Sequence, residues 1–294
     1  MIDALLLVIK IGIDPTIIDK WGIEITWHGL FTAVGVVFGV GVAAWFARRA
    51  EYDEDLIYNM ALAMVIGGII GARAMYVIEE WERFENDLGE IFSINTGGVT
   101  IYGALIGGTI GAFLYAVIRR VPDIPKAADI AALGAILGMA IGRIGDIING
   151  EHFATATDLP WGVVYTHHNS PSYIQWGPAA EPQHPAVAYE LLGDLAIFAA
   201  LVFIYTRVNR SGVTFFAWVF LYGFIRFFLS FLRLDDEILL GLRAAQLVAL
   251  AAVIVAPLAI IYLLKTPPAA ERMGRAARRR AMREGSAVEE HPPG

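Results

Sequence analysis

Cysteine is missing from all 294 residues, which removes disulfides, thiolate nucleophiles and Cys-ligated metals at once. Any thiol in the chemistry must therefore come from a partner. Charge is scarce as well. Asp, Glu, Lys and Arg make up 17% of the chain and hydrophobic residues 57%, against roughly 45–50% apolar in soluble domains. Mean hydropathy is +0.58, and the charges cluster between long apolar blocks, so one membrane domain fills the chain. The formal net charge of −7 says little, because the placement of Lys and Arg matters more than their sum. The N-terminal stretch MIDALLLVIKIGIDPTIIDKWG lacks a basic lead, carrying Asp3 instead, and lacks a small-residue cleavage site. It reads as a retained segment suited to the membrane surface. His167 and His168 lack zincin spacing, and there is no serine nucleophile elbow or phosphate-cradling glycine loop. The expectation is therefore no metal site and no cofactor, and nothing points to nucleic acid.

What is present is apolar sequence in span-sized blocks. A spanning helix needs about 20 mostly apolar residues and satisfies its own backbone hydrogen bonds. Seven blocks qualify, at about 29–47, 56–78, 99–118, 127–148, 185–206, 212–232 and 241–264. They predict an all-α integral membrane protein with one polytopic domain over 1–264 and a basic tail over 265–294. Between the fourth and fifth blocks, residues 149–184 are polar, rich in Pro, His and Tyr, and free of Lys and Arg, which suits a folded cap outside the bilayer. Alternation through seven spans puts 14 basic residues on one side, among them Arg48, Arg49, Arg119, Arg120, Lys126, Arg207, Arg210 and the tail, and 5 on the other. The basic excess places the C-terminus in the cytoplasm and the N-terminus and cap outside. Glycine recurs at every fourth position in Gly103, Gly107 and Gly111 and again in Gly134, Gly138 and Gly142, a spacing that lets helix backbones approach closely.

Three basic residues remain inside spans: Arg73, Arg143 and Arg226. Each costs at least ~2.5–3.5 kcal/mol at a membrane centre, so each needs a partner. Arg143 and Asp146 share a helical face at i,i+3. Arg226 has no acidic residue at i±3 or i±4, so its counter-charge must come from another helix or from a ligand. A guanidinium stays ionised and offers a planar fork to two oxygens, and a phosphate-bearing lipid headgroup is the anion at hand. Neutral imidazole can accept a proton near pH 7, which makes His28, His184 and His152 worth locating, although interfacial hydrogen bonding explains each alone.

Several motifs taken together carry more. GRIGDIINGEHFA (142–154), TWHGLF at the first span, GARAMYV (71–77), GGVTIYGALIGG (97–108), HPAVAYE (184–190), YGFIRFFLSFLR (222–233) and Asp129 resemble the bacterial prolipoprotein diacylglyceryl transferases. The resemblance covers about residues 21–264. It implies a multi-pass enzyme of the bacterial cytoplasmic (inner) membrane that moves the diacylglyceryl group of phosphatidylglycerol to the lipobox cysteine of a prolipoprotein, releasing glycerol phosphate. On that resemblance Arg143 and Arg226 hold the phosphate, Asn149 and Glu151 position the headgroup or the arginines, and Asp146 and Arg73 join the lipid-binding set. His28 and His184 are the alternatives for general base, with Tyr102 as an orienting hydroxyl. Four positions depart from the family pattern: His28 for tyrosine, Asp146 for asparagine, Ala154 for glycine and Ser230 for an acidic residue. A carboxylate gained at 146 and one lost at 230 would conserve the formal charge of the cavity. The residues alone leave open a relative that binds anionic lipid without transfer, and an anion transporter.

Overall fold

The computed structural model describes residues 8–21, 23–85, 87–92 and 98–266. Among these, seven helices are long and apolar enough to cross a membrane. They are α1 Trp27–Arg49, α2 Glu54–Glu79, α3 Ile101–Ile118, α4 Ile124–Asn149, α5 Ala186–Arg207, α6 Val213–Leu229 and α7 Ala244–Lys265. Each coincides with one expected block, because a run of that length in lipid can only close its backbone bonds as a helix. Local chemistry sets the ends. Asp53 caps α2 by accepting from Asp55 N, and Thr100 caps α3 by accepting from Gly103 N, each satisfying an orphan donor of the first turn. The seventh helix starts at Ala244, later than expected, because a hairpin of β5 Glu237–Leu239 and β6 Leu242–Arg243 precedes it. Leu240 and Gly241 turn that hairpin with φ of 53° and 72°, the left-handed pair a two-residue loop requires.

Outside the spans, β1 Ile9–Ile11 runs parallel to β4 Val163–Tyr165, and β2 Thr16–Lys20 pairs antiparallel with β3 Ile23–Thr26. The segment expected to lie on the membrane surface is thus, from residue 8, β-structure. Its isoleucines and threonines favour extended chain, and β1 gains its ladder from a strand of the 149–184 segment. That segment is folded, with β4, a short helix Pro171–Trp176 and a bridge between Ala156 and Gln183. Residues 1–7, Gly97 of the GGVTIYGALIGG motif and the tail from 267 lie outside the described residues.

The chain divides into two compact units, Gly39–Gly134 and Met1–Phe38 with Ala135–Gly294, the divisions falling within α1 and α4. In the first unit, α2 and α3 meet backbone to backbone. A Cβ on Gly71 would stand 2.3 Å from Gly103 O, and one on Gly107 2.3 Å from Gly67 O, the contact that small residues permit between lipid-embedded helices. Gly134 meets Gly39 O in the same way, at 2.2 Å. In the second unit, a Cβ on Gly35 would fall 2.4 Å from Gly138 O, whereas one on Gly142 meets nothing within 4 Å. Gly142 still meets α1 through its backbone, since that Gly35 Cβ would also lie 3.5 Å from Gly142 N. Close approach of α4 to α1 continues at Gly145, where a Cβ would lie 2.7 Å from Trp27 O and 2.8 Å from His28 Cα. That contact sets the first residues of α1 against the charged end of α4.

Candidate functional site

The last turns of α4 present Arg143, Asp146 and Asn149 into the second unit. Arg143 Nη1 donates to Asp146 Oδ2 at 3.2 Å, the neighbour its i,i+3 spacing predicts. It also stands 3.0 Å from Glu190 Oε2 of α5, and its Nε is 3.9 Å from Asp194 Oδ2. Arg226 of α6 donates through Nη1 to the other oxygen of Glu190, and Arg233 Nη1 reaches that same Oε1 at 3.3 Å. The counter-charge of Arg226 is therefore a carboxylate on another helix. Glu190 and Asp194, buried at 4% and 2% exposure, anchor the site, and one carboxylate bridges three guanidiniums.

The bridging leaves donors unspent. Arg143 Nε is buried without a hydrogen bond, and Arg226 makes only its Nη1 bond, leaving Nε and Nη2 without one among the described residues. All three nitrogens of Arg233 are engaged, by Asp235, Glu190 and His152, so the capacity for a further anion lies with Arg143 Nε and with Arg226 Nε and Nη2. Arg143 and Arg226 side chains are 15% and 18% exposed, which leaves both reachable.

Around this cluster the signature residues form a second ring. Asn149 Nδ2 donates to Glu151 Oε2 at 3.0 Å, and its own Oδ1 is buried without a partner. His28 Nδ1 lies 2.5 Å from Asp146 Oδ1 and 3.3 Å from Glu151 Oε1. His152 accepts from Arg233 Nη2 at its Nδ1, 2.8 Å, and places Nε2 3.5 Å from Asp146 Oδ2. Tyr165 donates its hydroxyl to Ile147 O at 2.8 Å. Burial, with the Asp146 charge adding to it, pushes that phenol well above its ordinary range, so it stays a donor at neutral pH. Ser230 Oγ turns back to Arg226 O at 2.7 Å, and Ala154 is buried in a bridge with Arg233.

The other expected site residues sit elsewhere. His184 lines an apolar pocket of about 280 Å³ with Ile9, Ile11, Ile147, Val163 and Leu192, and its Nδ1 is buried without a hydrogen bond. Arg73 belongs to the Gly39–Gly134 unit, where Nε donates to Ile91 O at 2.8 Å, Nη1 to Gly98 O at 2.9 Å and Nη2 to Glu90 O at 2.6 Å. Its three nitrogens hold the chain between α2 and α3. Tyr102 lies in the first turn of α3 in that unit, 42% exposed. Asp129 of α4 is buried.

His28, Asp146 and Glu151 group closely enough to present three ligand atoms to an ion. The 2.5 Å between Nδ1 and Oδ1 is shorter than the ~3.3 Å separating tetrahedral ligands held at about 2.0–2.1 Å. The Arg143 guanidinium on Asp146 also opposes a second cation there. As the contact stands, it is a hydrogen bond between imidazole and carboxylate.

These features define a multi-pass membrane protein with one cluster of arginines and carboxylates, Arg143, Arg226, Arg233, Asp146, Glu190 and Asp194, among its membrane helices. The family model for prolipoprotein diacylglyceryl transferase matches residues 15–262. The phosphatidylglycerol–prolipoprotein diacylglyceryl transferase of Clostridioides difficile (strain 630) is 34% identical over 252 residues, covering 86% of this chain and 96% of that protein. Those of Trichormus variabilis and Synechococcus elongatus are also 34% identical, covering 86% and 85% of this chain and 91% and 87% of their own. The chain belongs to the prolipoprotein diacylglyceryl transferase family.

Proposed function

We propose that this protein transfers the diacylglyceryl group of phosphatidylglycerol to the lipobox cysteine of a prolipoprotein, forming a thioether and releasing glycerol phosphate. The observation that carries the reading is the convergence of Arg143 and Arg226, from different helices, on one carboxylate with guanidinium donors left over. The phosphodiester is held by these two forks, and negative charge grows on the departing phosphate as its carbon–oxygen bond breaks. Fixed donors aimed at that charge lower the barrier most. The attacking sulfur is the substrate's, in keeping with a chain that has no cysteine.

Asn149 and Glu151 orient the glycerol headgroup, with the unpartnered Asn149 Oδ1 as an acceptor for its hydroxyls. The apolar pocket beside His184 takes side chains of the lipobox segment. Arg73 acts at one remove, by holding Glu90, Ile91 and Gly98 through their carbonyls. The protein lies in the bacterial inner membrane with its N-terminus and the 149–184 cap outside, and residues 1–264 form the catalytic domain. The basic tail at 265–294 meets anionic lipid on the cytoplasmic side.

The test uses full-length protein in phosphatidylglycerol vesicles with a lipobox peptide. Arg143→Ala and Arg226→Ala each reduce thioether formation by about 100-fold or more. Arg143→Lys and Arg226→Lys keep the charge, lose the fork and remain impaired, which separates anion geometry from folding. Normal turnover by the lysine variants refutes the role. Phosphatidylglycerol binding with no transfer identifies instead a lipid-binding relative, and anion movement across the vesicle a transporter.

A further inference from the structure

His28 and Asp146 are 118 positions apart and both depart from the family pattern, yet they touch. Gly145 permits it, because any side chain there would strike Trp27 O and His28 Cα. The imidazole Nδ1 faces two carboxylates, Asp146 Oδ1 at 2.5 Å and Glu151 Oε1 at 3.3 Å. Ionised carboxylates only accept, so Nδ1 carries a hydrogen, and in the neutral ring the lone pair lies on Nε2. That nitrogen has no hydrogen-bond partner among the described residues, and the side chain is 45% exposed. A carboxylate that fixes the tautomer of a histidine and leaves its other nitrogen open makes that nitrogen a proton acceptor.

The other histidines of the site are not so arranged. The Nδ1 of His152 is spent on Arg233. His184 has no carboxylate partner and lies against apolar residues. The geometry points to His28 as the general base for the acceptor thiol, with Asp146 as its positioning residue. The assignment rests on the transferase reading.

In the step, the S–H bond breaks and its proton goes to His28 Nε2. The sulfur pair forms a bond to the glycerol carbon of the lipid as the carbon–oxygen bond to phosphate breaks, its electrons leaving on glycerol phosphate. The imidazolium then returns its proton to the departing phosphate. Asp146 Oδ2, 3.2 Å from Arg143, ties the base to the residue that holds that phosphate. The groups against His28 are Asp146 and Glu151, and His152 and Arg143 both reach the same Asp146 carboxylate.

The experiment compares a cysteine lipobox peptide with its selenocysteine analogue, which is ionised at neutral pH and needs no base, on full-length protein in phosphatidylglycerol vesicles. His28→Ala lowers turnover of the cysteine peptide by about 100-fold or more, leaves phosphatidylglycerol binding intact and leaves the selenocysteine peptide near the wild-type rate. Free imidazole restores part of the loss. Asp146→Asn costs roughly tenfold with His28 present and no more than about twofold in His28→Ala supplied with imidazole. His28→Gln keeps a donor to Asp146 without a base, and serves where alanine disturbs lipid binding.

Turnover of the cysteine peptide by either variant at the wild-type rate overturns the assignment. So does an equal loss on both peptides without imidazole rescue, the mark of a structural role. Activity abolished by a chelator and restored by a divalent cation also overturns it, in favour of a metal at the same residues. No thioether formation by the unaltered protein rejects the transferase reading and the base with it.

Discussion

Glu190→Gln separates the protein's own anion from the lipid's. Glu190 Oε1 serves Arg226 and Arg233, and Oε2 stands 3.0 Å from Arg143. Replacing its charge while keeping its shape takes the carboxylate from Arg226 and leaves Arg143 and Arg233 to Asp146 and Asp235, and breaking a largely buried pair in this way costs about 3–5 kcal/mol. For a chain of this size that is roughly 6–20 °C in Tm. A phosphate seated on the same guanidiniums would lie ~6 Å from the Glu190 carboxylate, a repulsion of ~2.8 kcal/mol at an effective dielectric constant of about 20. Partial exposure of Arg143 and Arg226 screens some of this. The variant should therefore bind phosphatidylglycerol about 10–100-fold tighter than wild type while being less stable without it, and the lipid should recover much of the lost Tm. Thermal unfolding in detergent across a phosphatidylglycerol titration, with phosphatidylcholine as control, reads both quantities. A Glu190→Gln protein that binds no tighter, with a Tm deficit the lipid does not repair, refutes the idea that carboxylate and phosphate draw on the same arginines.

Two further outcomes are expected. Gly145→Ala puts a methyl group into Trp27 O and His28 Cα; it should cost about 1–3 kcal/mol of stability and reduce transfer beyond that loss, and an unaffected rate in the folded variant counts against the close approach. Asp14 Oδ1 accepts from Thr16 N at 3.0 Å, and its carboxylate also meets Asn169 at 3.3 Å. Chiefly through the Thr16 bond, its carboxyl is held below its ordinary range. A depressed folded value stabilises above the unfolded pKa, about 3.9, and the contribution fades as pH falls through the folded value. Protease resistance of the cap should thus drop below about pH 4, and Asp14→Asn should flatten that dependence; an unchanged acid limb in the variant would reject the link.

The seven helices were legible because lipid permits one answer to a run of about 20 apolar residues, and the α2/α3 contact because glycine every fourth residue has one efficient use between such helices. Two features were not. The strand at Ile9–Ile11 depends on Val163–Tyr165, a partner more than 150 residues away that no local pattern names. Gly142 shares the spacing of Gly134 and Gly138, yet a Cβ there would meet nothing within 4 Å, since periodicity marks a face of a helix and not how far along it a neighbour stays close.

In the site the same division decides what could be read. Arg143 and Asp146 lie on one helix, so their spacing disclosed the contact. Arg226 was tested only against its own helix, although α5 already carried the answer in its letters. Glu190 and Asp194 are four apart, on one face, in a span otherwise without charge. A carboxylate inside a membrane demands an explanation as surely as an arginine does, so the acids were a signal of equal weight. Which acid meets which arginine is set by how helices cross, and that is absent from any one of them.

Positions 146 and 230 show the consequence most plainly. Formal charge alone matched the carboxylate gained at 146 with the one lost at 230. In space Ser230 bonds to Arg226 O within its own helix, while Asp146 is met by His28. An added buried charge is neutralised by what stands within a few ångströms of it, because attraction there is unscreened. Asp146 is met by Arg143 on its own helix and by His28, which Gly145 lets approach.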